Sequence, residues 1–147
     1  LLIHPKYSKA NLQEAENLLL TNLGECQLSN MHRSTIVTLS LLSRLASAKK
    51  NFADAISYGN QAIEMFKKYG HLPAVRVEEI YFYQYITVSK ANRLEDSFKY
   101  LEVANNIIEE KAKSITEHEY RLSYYSNIKL NKDITTHYNA LKVIYKD

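Results

Sequence analysis

Leu12-Gln-Glu-Ala15-Glu-Asn-Leu18, Phe52-Ala-Asp-Ala55-Ile-Ser-Tyr58 and Leu94-Glu-Asp-Ser97-Phe-Lys-Tyr100 are three versions of one pattern. Each opens on a large apolar residue and two mostly polar or acidic ones. A small residue follows, and a large apolar or aromatic residue stands three further on. The versions begin at positions 12, 52 and 94, so the pattern returns after 40 and then 42 residues. Self-similarity at that period marks stacked helical units, each too small to bury its apolar face alone. The expected fold class is all-α.

Composition agrees. The 147 residues contain only three Gly and two Pro, against 46% apolar residues. Too few turn formers are present for a many-stranded β fold, while apolar content suffices for a core. The net charge of +3 is too small to argue for nucleic acid. One cysteine, Cys26, excludes an internal disulfide and fits a reducing, cytoplasmic setting. The longest apolar runs, such as Leu18-Leu19-Leu20, are too short to span a bilayer. The start, Leu1-Leu2-Ile3, carries no Met and no signal-peptide pattern, and reads as an excerpt of something longer.

Helical spacing of apolar residues predicts seven helices. The first covers 9–23, with Gly24 as its C-terminal cap and 25–30 as a loop. The second covers 32–49, where Ile36, Leu39, Leu42 and Ala46 form one stripe, widened by Val37, Leu41 and Leu45. The third runs from Phe52, after Asn51 as turn or cap, to Tyr69 before Gly70. Pro73 is expected to open the fourth, which ends near Ala91. Asn92-Arg93 is a tight turn, and the fifth covers 94–113. Thr116-Glu-His-Glu119 has the spacing of a capping box for the sixth. Asn131 or Asp133 is expected to cap the seventh. The chain thus divides into a lone helix at 9–23, helix pairs at 32–70 and 73–115, and a terminal pair at 116–147.

The repeated unit resembles the tetratricopeptide repeat, in its long-helix variety. The family places small residues a double turn apart in the second helix of each pair. Ala55, Tyr58 and Ala62 match this, as do Ser97, Tyr100, Leu101 and Ala104. Ala15, Leu18 and Leu19 match more loosely, with Asn22 at the second small position. In the first helix, Leu39, Leu42, Ser43 and Ala46 match, whereas Tyr81, Gln84 and Tyr85 depart. The resemblance implies a right-handed superhelix in which 9–23 is the second helix of a pair whose partner lies upstream. It also implies a groove lined by first-of-pair helices. The groove positions would be Val37, Ser40, Arg44 and Ser47 on one helix and Glu79, Phe82, Tyr83 and Ile86 on the next. Tyr124 is a further candidate. Tyr81-Phe82-Tyr83-Gln84-Tyr85 admits two readings: a helix buried on both sides, or an aromatic contact surface for a peptide. Some family members clamp a peptide carboxylate with Lys and Asn. Here only Arg44 could serve, and Glu79 would repel, so such a clamp is disfavoured.

A shorter resemblance covers Glu119-Tyr-Arg-Leu-Ser-Tyr-Tyr-Ser-Asn-Ile128 and Asn131-Lys-Asp-Ile134. It looks like the segment closing the repeat array of large bacterial signalling proteins, which carry a cyclase, kinase or DNA-binding module and an AAA- or STAND-type ATPase. The implied function is a protein- or peptide-binding sensory segment. The rivals are the repeat domain of a peptide-pheromone receptor and the regulatory array of an enzyme encoded upstream.

Nothing in the chain points to catalysis, a cofactor or a metal. His4, His32, His71, His118 and His137 never pair at i,i+3 or i,i+4, and no CxxC, G-x-S-x-G or glycine-rich phosphate loop occurs. Lys49-Lys50, Lys67-Lys68 and Lys111/Lys113 sit at predicted helix C-termini, where the helix dipole accounts for them. The expectation is a partner that is protein or peptide, with neither nucleic acid nor membrane.

Overall fold

The computed structural model describes residues 8–146, and all regular structure there is α-helical: α1 (Lys9–Leu28), α2 (His32–Ala48), α3 (Phe52–Tyr69), α4 (Val77–Lys90), α5 (Leu94–Lys113), α6 (His118–Ser126) and α7 (Lys129–Tyr145). The chain start, with Leu1-Leu2-Ile3 and His4, lies outside the described residues. The chain divides after Val75 into two compact units.

In the first unit, α1, α2 and α3 are joined by tight reversals of one design. After α1, Asn30 is left-handed (φ 52°), Asn30 N–H donates to the Gln27 carbonyl and Met31 N–H to the Cys26 carbonyl. After α2, Lys50 (φ 60°) donates to Ser47 and Asn51 to Ala46. This pair of bonds closes two orphan carbonyls at each helix end and turns the chain at once into the next helix. The third instance follows α4, in the second unit, where Asn92 (φ 61°) donates to Ser89 and Arg93 to Val88.

The α1 boundary corrects the sequence reading. Gly24 does not cap the helix; it lies inside it, and a Cβ there would meet nothing within 4 Å. The helix runs on to Leu28 because Cys26, 4% exposed, still faces the interior, and Asn30 supplies the left-handed residue. At the other end, Ser8 accepts a hydrogen bond from Asn11 N–H as N-cap.

Helices α2 and α3 form the tightest pair of this unit. Ile36, Leu39, Leu42, Leu45 and Ala46 are buried on α2, and Ala55, Gly59, Ala62 and Ile63 on α3. Ala55 and Ala62 are wholly inaccessible, and the Ser43 hydroxyl donates to the Ala55 carbonyl at 2.6 Å. Small residues permit that approach of one backbone to the other. As expected, Asn51 caps α3, accepting from Asp54 N–H, and Gly70 (φ 72°) ends it. Helix α1 joins α2 through Asn22 Nδ2 donating to Thr38 Oγ1 (2.8 Å) and the Glu16–Lys49 ion pair.

In the second unit, α4 starts at Val77, not at Pro73. Ala74 is left-handed (φ 62°) and Val75 N–H closes a turn onto the Leu72 carbonyl, so the proline belongs to a loop. Helix α4 is buried nearly all round, including Tyr81, Phe82, Gln84, Tyr85 and Val88. It packs on α5, where Phe98, Leu101, Ala104, Ile108 and Ala112 are buried. Helix α7 covers α5: Phe98 stacks on Tyr138 (5.8 Å between ring centres) and meets Tyr145 (5.5 Å), and Ile134 is fully buried.

Two expected caps do not form. Helix α6 begins at His118 after Glu117, with no side-chain cap from Thr116. Its anchor is Arg121, whose guanidinium donates twice to the Ile115 carbonyl (3.0 and 2.7 Å). Helix α7 begins at Lys129 after Ile128. Asn131 is buried in the first turn and donates to the Tyr124 carbonyl, tying α6 to α7, while Asp133 pairs with Lys129. Both polar side chains serve contacts other than the cap.

Candidate binding surface

On α2, the spacing of four, three, four and three places Arg33, Val37, Ser40, Arg44 and Ser47 along one line. The line runs from an exposed N-terminal half to a covered C-terminal end. Val37 is 43% exposed, Ser40 and Arg44 are half-buried, and Ser47 is buried. No acidic residue occurs anywhere in α2.

Beside the exposed half lies an open depression of about 390 Å³, lined by Leu19 and Asn22 of α1, Arg33, Ser34, Val37, Thr38 and Leu41 of α2, and Ala74 of the following loop. Its walls are apolar at Leu19, Val37, Leu41 and Ala74. The Asn22–Thr38 hydrogen bond fixes how the two helices flank it. Arg33 stands exposed at the rim and makes no ion pair or hydrogen bond with another described residue. This volume is within the range of small-ligand clefts, roughly 300–1,000 Å³.

Of the predicted groove positions, the structure therefore brings Val37 to a concave surface and carries Ser40 and Arg44 along the same helix face. It buries Ser47. On α4, Glu79, Tyr83 and Ile86 are half-buried and Phe82 is 5% exposed. Phe82 presents no free ring: the His137 imidazole meets it edge-on at 5.6 Å, and the same imidazole takes a 2.9 Å hydrogen bond with the Tyr85 hydroxyl. The aromatic run of α4 is in this respect a packing feature. Burial holds the Tyr85 phenol above its ordinary pKa. Tyr124 is half-buried, its phenol also raised, first by burial and then by the Glu78 carboxylate.

Of the residues lining the depression, only Val37 is among the groove positions read from the sequence; Leu19, Asn22, Arg33, Ser34, Thr38, Leu41 and Ala74 are not. Arg33 and Leu41 carried a signal, since each lies one turn from Val37. Leu19 and Asn22 come from another helix and Ala74 from a loop 37 residues away from Val37, and no pattern links them.

Among the described residues, no group of three or more His, Cys, Asp or Glu is placed to hold a metal ion. Among the same residues, no helix is long and apolar enough to cross a membrane. Comparison of the chain with protein-family models, with curated proteins and with solved structures finds no match in any of the three.

Proposed function

We propose that this chain is a non-catalytic binding segment whose α2 face holds a stretch of a partner protein. The observation that carries the reading is the open depression between α1 and α2. It combines exposed apolar side chains with a guanidinium that pairs with no other described residue, between α1 and α2 joined by the Asn22–Thr38 hydrogen bond, with α2 held on α3 by the buried Ser43–Ala55 contact. A preorganised surface of that kind binds without first paying an ordering cost.

The pattern at 12, 52 and 94 and the three alike helix reversals support a helical-hairpin array of the tetratricopeptide kind. The resemblance of 119–134 to the closing segment of bacterial signalling proteins supports a place in a larger regulator. Affinity capture tests the binding reading. Val37→Glu puts a charge on an exposed wall and leaves the core intact. A protein retained by the wild-type chain and by a Leu94→Glu control, but lost with Val37→Glu, supports it. Equal retention by all three contradicts it.

A further inference from the structure

We propose that the α1–α2 depression selects an acidic peptide, seating one apolar side chain while Arg33 pairs with a carboxylate on a neighbouring residue. This rests on the binding reading above and adds the chemistry of the partner.

Arg33 is the one charged residue lining the depression. Every other lining group is apolar or neutral, and Asn22 and Thr38 already bond to each other. No carboxylate on α2 competes for the guanidinium. On α1, Glu16 is held by Lys49, and no ion pair joins Arg33 to Glu25, the carboxylate one turn beyond Asn22. A ligand entering here meets apolar walls and a single positive charge. An apolar side chain fills the walls, and an adjacent carboxylate completes the rim through a charge-assisted hydrogen bond. A nucleic acid fits less well, because the walls are aliphatic and offer no aromatic face for stacking bases.

The test uses the isotope-labelled chain and two probes, acetyl-Gln-Leu-Glu-amide and its neutral counterpart acetyl-Gln-Leu-Gln-amide, followed by NMR at the Asn22, Ser34, Val37 and Ala74 amides. Both peptides should move these signals. The acidic one should bind about fivefold tighter at low salt, the scale of an exposed ion pair. That gap should close in Arg33→Gln, and at about 0.5 M salt, where screening acts over roughly 4 Å. Equal affinities at low salt overturn the acidic preference, and a gap that survives Arg33→Gln overturns the pairing with Arg33; either result leaves the binding reading standing. If neither peptide moves the signals, the apolar seat proposed here fails as well, whereas the binding reading stands or falls on the Val37→Glu capture.

Discussion

Ala55→Leu tests the contact on which the first unit is built. Ala55 is wholly inaccessible, and its carbonyl receives the Ser43 hydroxyl at 2.6 Å. A leucine there adds three carbons where two backbones are already in contact. Fully accommodated, the extra carbons would gain about 2 kcal/mol of burial. The close approach gives no room for that, so the overpacking cost of roughly 1–3 kcal/mol applies instead. Pushing α2 back also lengthens the Ser43 bond, a further loss of about 1 kcal/mol. The net expectation is a destabilisation of about 2–4 kcal/mol. Ala53→Leu is the control: the same chemical change, on the same helix, at an exposed position, expected within about 0.5 kcal/mol of wild type. Urea unfolding followed by circular dichroism reads both. With a slope of roughly 1–3 kcal/mol/M, Ala55→Leu should lower the midpoint by about 1–2 M. If the two variants unfold alike, or if Ala55→Leu is the more stable, the α2–α3 register described above is wrong.

Gly24→Ala should raise stability by about 0.5–1 kcal/mol, measured by the same unfolding curve, because Gly24 is helical and a Cβ meets nothing. Lys50→Gly should also stabilise, by up to about 1 kcal/mol, by relieving a left-handed side-chain residue (φ 60°); a loss would show that Lys50 makes a compensating contact. Tyr85→Phe should cost about 1 kcal/mol at neutral pH through the lost bond to His137. Burial raises the folded-state pKa of Tyr85, so its contribution is fully present below about pH 10 and is lost as pH rises through the raised value. The variant should therefore lose stability less steeply than wild type above about pH 10, with Tyr124 and Tyr125 leaving a residual slope.

The helices were legible wherever local chemistry and tertiary contact agreed. Phe52–Tyr69 begins and ends as its flanking residues predict, since Asn51 and Gly70 act locally, and Leu94 opens its helix directly after the expected Asn92-Arg93 turn. The errors fall where a residue serves a contact made elsewhere. Gly24 reads as a terminator, but Cys26 beyond it is still buried. Pro73 reads as a helix start, but Ala74 turns left-handed. Asn131 reads as a cap, but its amide reaches the Tyr124 carbonyl. Lys50 gives no sequence signal for a left-handed turn at all; only the equivalent positions of Asn30 and Asn92 reveal it. The candidate surface follows the same division. Val37, Ser40 and Arg44 share a helix face by spacing alone. The wall opposite Val37 comes from α1 and the loop at Ala74, which only the fold brings near.

Whether the α2 face binds is tested by photo-crosslinking from a benzoylphenylalanine placed at Val37, with Leu94 as the control position, both exposed. A discrete crosslinked partner is expected from position 37, absent from position 94 and suppressed by an excess of unlabelled chain. The same products from both positions, or none from position 37 in a lysate that retains the partner, would contradict the claim that the α2 face is where this protein binds.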